Sequence, residues 1–343
     1  MKSTGGTAMK PAAASGLAAA LAIATLAAAG ISAVIAPLEA RAQAYPNKPV
    51  RMVIGLPPGG GSDPLARSLS QRLSLMWGQP VVVDNRPGAS TIIATEIVAR
   101  APADGHTLLF GFDHSFTLNP HLYSKLPYDP IKDFQPVTQL ASFAMPLVAH
   151  PSLPANSVAE LVALAKAQPG KLSYGSIGIG SHMHIITELL NNKAGINLVH
   201  VPYKGIAQMA AAVLSGEVQL TWFGLNTARP LTAARRIKVL AYSGTRRSPQ
   251  LPDAPTFAEV GYPGVDISVW YGVLASGGTP RTIVDKIHGD IMKVMADPEF
   301  REKEIVARGY EPTGIGPDEF AAHLRRELAA RAEIVKISGA KVD

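Results

Sequence analysis

Short apolar runs alternate with amphipathic helical patterns along this chain, in two successive sets, and that alternation limits the fold more than any other feature. In the first set, residues 50–56 read as a strand and 57–63 as a glycine-rich turn. Leu65, Leu69, Leu73 and Met76 then fall at helical spacing. A strand at 81–83, a helix over 91–100 and a strand over 107–112 follow. The second set starts with an extended segment at 139–150 and a capping box, in which Ser157 and Glu160 satisfy each other's free amides. Strand 172–176 leads through the glycine loop 177–181 into a helix ending near 194. Strand 198–203, helix 206–215 and strands 218–223 and 237–243 complete the set. Segment 265–274 reads as extended. Helices then start at Thr279-Pro280, Asp297-Pro298 and Gly316-Pro317, each with proline at the first helical position. Such alternation implies parallel sheet with crossover helices, hence two α/β units. The last helices are expected to return to the first unit, with crossings near 139–150 and 262–275.

At 343 residues, 47% hydrophobic and 17% charged, the chain can bury about two ordinary cores and is not disordered. It has no cysteine, which excludes disulfides, thiolate metal sites and cysteine nucleophiles. The net charge is +6, of which Lys2, Lys10 and Arg41 against Glu39 contribute two; no Lys/Arg run exceeds two residues. A nucleic-acid protein would carry a basic stripe, so none is expected as a partner.

Lys2 and Lys10 precede an alanine-rich apolar stretch over 12–37, which ends in Ala42-Gln43-Ala44. A basic end, apolar middle and small-residue site make a secretory signal, expected to be cleaved after Ala44. No cysteine follows to carry a lipid anchor, and no later run has the length to span a bilayer.

Gly59-Gly60-Gly61-Ser62-Asp63 lies between a strand and a helix. Glycines expose amides, and the helix N-terminus adds partial positive charge, so the loop suits an anion. Asp63 reads as the helix N-cap. Neither GK[ST] nor GxGxxG is present, so this is not a nucleotide loop. Gly178-Ile179-Gly180-Ser181 repeats the design in the second unit. If the units face each other, both loops reach one cleft. His182 and His184 are two apart and share no helix face, and HExxH is absent, so no metal is expected. Without a GxSxG elbow, no catalytic residue is assigned. Trp222-Phe223 and Trp270-Tyr271 are candidates for a ligand wall, and Tyr203 ends a strand where open α/β sheets bind ligands.

Several dispersed motifs appear in order: Tyr45-Pro-Asn-Lys-Pro-Val-Arg51, Leu56-Pro-Pro-Gly-Gly-Gly61 with Asp63, and Gly78-Gln-Pro-Val-Val-Val-Asp-Asn-Arg-Pro-Gly88. Asn119-Pro-His-Leu-Tyr123, Leu126-Pro-Tyr-Asp-Pro130, Pro169-Gly-Lys-Leu-Ser-Tyr174, His200-Val-Pro-Tyr-Lys-Gly205, Arg247-Ser-Pro-Gln-Leu-Pro252 and Gly277-Gly-Thr-Pro280 continue them. The chain thereby resembles the substrate-binding proteins of tripartite tricarboxylate transporters, the Bug family, along essentially all of 45–343. The resemblance implies a two-lobed periplasmic binding protein, a type II-like Venus flytrap with two hinge crossings and no enzymatic activity. It also implies delivery of a small organic anion, commonly a carboxylate, to a membrane permease. By the same resemblance the ligand carboxylate lies on the loop Gly59–Ser62 and on Ser176 with Gly180 and Ser181, while His184 is the family histidine and His182 an extra one. The chain departs from the family at Ser90-Thr91, where glycines are usual, at Ile177 and Ile179, where polar residues are usual, and at Trp222-Phe223-Gly224, where the strand often ends in an acid.

The resulting expectation is a monomer with a signal at 1–44, one lobe from 45–140 plus 267–343 and the other from 141–266. Its ligand-binding residues are Leu56, Gly60, Gly61, Ser62, Ser115, Ser176, Gly180, Ser181, Tyr203 and Phe223, with no metal or cofactor. The apolar groups at Phe223, Trp222, Ile177 and Ile179 suggest a carboxylate with an apolar or aromatic body. An exported sensing module, or less readily an α/β hydrolase, are the alternatives.

Overall fold

The computed structural model describes residues 1, 3–6, 45–59 and 61–342. Residues Met1–Asn47 and Lys48–Asp343 are separate units. The expected signal segment, its cleavage site at Ala44 and Gly60 lie outside the described residues. In the first unit the Tyr45–Pro46 peptide is cis.

The second unit opens with β1 (Val50–Ile54), α1 (Asp63–Trp77), β2 (Val81–Asn85), α2 (Ile92–Ala99), β3 (Thr107–Phe112), the short helices α3 (Asp113–Thr117) and α4 (Asn119–Leu122), and β4 (Phe134–Phe143). Then come β5 (Pro146–Ala149), α5 (Val158–Ala167), β6 (Ser173–Ser176), α6 (His182–Ala194), β7 (Val199–Pro202), α7 (Ile206–Ser215), β8 (Leu220–Trp222), α8 (Leu225–Ala233) and β9 (Lys238–Tyr242). The chain returns through β10 (Val269–Ser276), α9 (Arg281–Ala296), β11 (Glu311–Ile315) and α10 (Pro317–Ser338).

Two sheets result, ordered β11-β4-β10-β3-β1-β2 and β7-β6-β8-β5-β9. In the first, β1 runs parallel to β2 and β3, with Met52 opposite both Val83 and Leu108. In the second, β6 runs parallel to β7 and β8. Each opening strand is therefore flanked on both sides by the next two parallel strands, so the strand order reverses beside it. The carboxyl ends at such a reversal form the crevice where open α/β sheets take ligands. Both glycine loops start there.

The segment 139–150 divides between the two sheets: β4 ends at Phe143, three residues past the expected lobe boundary, and β5 begins at Pro146. The return strand starts at Val269 rather than 265. Sequence patterning missed α8, which contains Pro230, and β11, whose Pro312 and Gly314 a central strand would not tolerate but an edge strand does. Thr279 does not cap α9: its hydroxyl donates to Ser276 O, and the helix starts at Arg281 without a side-chain cap. Asp297 caps only a three-residue turn, which continues into a π-helical turn over Arg301–Val306. The capping box at Ser157 forms, although Glu160 reaches the amide of Asn156.

One core packs Phe116, Phe134, Trp270, Phe320 and Leu324 against the first sheet. The other gathers Leu147, Tyr174, Leu189, Leu220, Trp222 and Phe257 around the second, and also takes in Leu118 and Leu122 of the first lobe and Val335 and Ala340 near the C-terminus. Each such side chain, fully buried, contributes roughly 1.5–3 kcal/mol. No helix among the described residues is long and apolar enough to cross a membrane.

Candidate functional site

Helix α1 runs 15 residues from Asp63, so its first amides gather partial positive charge beside the glycine loop. Asp63 is the first helical residue and not the N-cap. It braces the loop, accepting from Gly59 N at 3.1 Å, Arg67 Nε at 2.9 Å and Asn85 Nδ2 at 2.9 Å. Burial raises its pKa, but these bonds outweigh that and hold it below the ordinary aspartate value. Ser62 stands at the N-cap position, makes no side-chain cap bond, and is 1% exposed. Among the described residues its hydroxyl has no hydrogen-bond partner. An unpaired buried hydroxyl is costly, and its place at a helix N-terminus suits an incoming acceptor.

Ser62 lines a pocket of about 10 Å³ with Leu56, Thr91, Thr95, Phe112 and Ser115 among its walls. No Lys or Arg lines it. Thr91 Oγ1 lies 2.5 Å from Ser115 Oγ, and Tyr128 OH donates to Ser115 O. Ala89, Ser90 and Thr91 have φ of 43°, 50° and 73°. Three consecutive non-glycine residues in the left-handed region are strained, most of all a β-branched threonine. Asn119 Nδ2, donating to Ser90 O at 2.8 Å, helps to hold them. Glycine takes this conformation freely, and at Ser90 and Thr91 the chain departs from the resembled pattern, which has glycines there.

The second loop is wired differently. Ser176 Oγ accepts from Gly178 N at 3.0 Å and lies 2.6 Å from His200 Nε2. Ser181 Oγ donates to Gly178 O at 2.7 Å and, as N-cap of α6, accepts from His184 N at 3.4 Å. Both serines thus bond within their own loop and its neighbours, whereas Ser62 does not. Gly180 N donates to His184 Nδ1, which places the proton of neutral His184 on Nε2. The His184 and His200 rings stack at 4.2 Å, and burial lowers both pKa values, that of His200 to about 4. Tyr203 ends at Glu217, its hydroxyl donating at 2.8 Å.

The lobes meet at buried contacts. His182 Nε2, on the first residue of α6, lies 2.8 Å from Asp113 Oδ2, on the first residue of α3. Phe112 packs on both His182 and Tyr271, at 5.3 and 5.6 Å between ring centres. His114 is buried beside them, and desolvation lowers its pKa to about 3. Tyr310 joins this cluster and donates to Gly61 O at 2.9 Å. At Gly180, with φ of 78°, an added Cβ would lie 2.9 Å from Leu122 of the first lobe.

Of the expected residues, Leu56, Ser62 and Ser115 share the first pocket, and Gly61 lies under Tyr310. Ser176, Gly180 and Ser181 form the second loop. Phe223 follows β8 at the second strand-order reversal and is 1% exposed, in the second-lobe core. Trp222 is core as well and not a ligand wall, packing on Phe257 with its indole N–H on Thr187 Oγ1 at 2.8 Å. Trp270 stacks on Phe116 in the first-lobe core. A larger groove of about 960 Å³ runs along α8 and the 250–254 segment and contains none of the expected residues. Sequence reasoning noted Thr91 only as a departure from the family pattern and passed over Asp113 and Tyr310.

Two sheets with matching strand-order reversals, a glycine loop at each and buried contacts between them define a two-lobed solute-binding protein of the periplasmic type. The model for "Tripartite tricarboxylate transporter family receptor" matches residues 65–339. The chain belongs to this family, the Bug receptors among it. It is similar to a solved R. palustris protein with adipate: 36% identical, TM-score 0.77, covering 87% of this chain and 100% of that one. The periplasmic binding protein BugD is 32% identical with TM-score 0.74, covering 87% and 99%. MatC from Rhodopseudomonas palustris with bound malate is 28% identical with TM-score 0.73, covering 85% and 100%.

Proposed function

We propose that this protein captures a small organic carboxylate between its two lobes in the periplasm and hands it to a membrane permease, carrying out no chemistry on it. The observation that carries the reading is the buried, unpartnered hydroxyl of Ser62 at the N-terminus of α1, in a pocket without cations. Amides, hydroxyls and the helix dipole suit a carboxylate and need no counter-ion. Adipate and malate in the similar structures are carboxylates as well. The pocket of about 10 Å³ is lined by first-lobe residues alone and has room for about one water-sized group, so it would take only the end of a ligand. Bonds to both lobes then favour the closed arrangement, the form a permease would recognise. The signal segment at 1–44 fits export.

Titration calorimetry of the mature chain with mono-, di- and tricarboxylates tests the reading. At least one is expected to bind and to raise the melting temperature. A ligand at 100 times its dissociation constant stabilises by about 2.7 kcal/mol. If no carboxylate binds while a neutral or cationic solute does, the reading is wrong.

A further inference from the structure

Asp113 is the first residue after β3, and so lies at the strand-order reversal, across from the glycine loop that follows β1. It is fully buried, and Phe112 and Ser115 on either side of it line the pocket of Ser62. Its Oδ2 takes the bond from His182 of the other lobe, while Oδ1 is buried without a partner among the described residues. A carboxyl oxygen buried without a donor is costly. In the second sheet the equivalent place after β8 belongs to Phe223, so only the first lobe brings an acid to its reversal.

Of the pocket's hydroxyls, Thr91 and Thr95 donate to backbone oxygens and Ser115 bonds Thr91, which leaves that of Ser62 free to donate. Asp113 does not itself line that pocket, but it stands between two residues that do, so the first lobe sets one acceptor without a donor among the described residues beside a hydroxyl that can donate to a carboxylate. A second carboxylate brought against Asp113 would be repelled, whereas a hydroxyl or ammonium would be bound. We propose that Asp113 is a ligand-binding residue, and that the ligand is a carboxylate carrying a hydroxyl or amino donor that bonds Oδ1. This rests on the carboxylate reading above and replaces the expectation of an apolar body, which lacked an acidic partner for such a donor.

Calorimetry in two matched four-carbon sets tests the proposal: succinate, malate and aspartate, then butyrate, 3-hydroxybutyrate and 4-aminobutyrate. In whichever set binds, a donor-bearing acid should bind at least about tenfold tighter than its parent, or about 1.4 kcal/mol. Asp113→Ala should erase that ratio. His182→Ala, which removes the cross-lobe bond and leaves Oδ1 in place, should weaken parent and donor-bearing acids alike and keep the ratio. If Asp113→Ala does not fold, the wild-type ratio alone decides. Binding in which the parent acids match the others, or a ratio that survives Asp113→Ala, overturns this inference and leaves the carboxylate reading standing. Absence of binding by every acid overturns both.

Discussion

Ser62→Ala should strengthen the empty protein and weaken the loaded one. The hydroxyl is 1% exposed, bonds nothing and caps nothing, so its removal takes away an unpaired buried group without breaking a contact. The relief is of order 1 kcal/mol, which for a chain of this size raises the melting temperature by roughly 2 °C. With ligand present, the same hydroxyl would donate to a carboxylate. Losing a hydrogen bond to a charged group costs about 1.5–3 kcal/mol, or about 12- to 160-fold in affinity. Scanning calorimetry without ligand and titration calorimetry with it read the two signs separately. A structural serine would lower the melting temperature and leave affinity alone. That pair of results would refute the assignment of this loop.

Three further expectations follow from the geometry. Protein recovered by osmotic shock should begin at Tyr45 on N-terminal sequencing; a full-length chain held in the inner membrane would count against the signal. Gly180→Ala forces a left-handed backbone on alanine and brings its Cβ to 2.9 Å from Leu122; it should cost about 1–2 kcal/mol in the backbone alone. An unchanged melting temperature would show that the contact is slack. Because burial lowers His200 to about 4, the unfolded chain binds the proton first as pH falls. Stability from this group is thus full above the ordinary histidine value and is lost as pH drops toward 4. His200→Gln should flatten that part of a melting-temperature profile between pH 7 and 4, and an equally steep profile would assign the slope elsewhere.

The first strands, both glycine loops and their helices were legible because period-2 and period-3.6 patterns meet at glycines there. Helix α8 was not, because Pro230 breaks its pattern and Gly224 before it reads as a loop. Strand β11 was hidden by Pro312 and Gly314, which only its edge position permits. Trp222 looked like a cleft residue because it ends a strand, but the side chain turns to Thr187 and Phe257 on the core side. The significance of Asp113 depends on β3 lying beside β1 and not beside β2, an order of crossovers that no local pattern encodes. Its partner His182 was read as a surplus histidine because the bond between them spans 69 positions of chain.

The second-lobe core does not stop at the crossings. Leu118 and Leu122, from α3–α4 and their junction, and Val335 and Ala340, from the end of the chain, are buried among second-lobe side chains. Neither sheet can therefore complete its interior until segments distant in sequence have arrived. Unfolding should be a single cooperative transition, with proteases finding no stable half to leave behind. A fragment holding only the inserted residues would expose the apolar faces that these four side chains cover, and would be expected to aggregate. Lobe motion is confined accordingly: the lobes can rock about this shared seam, but cannot come apart there without melting.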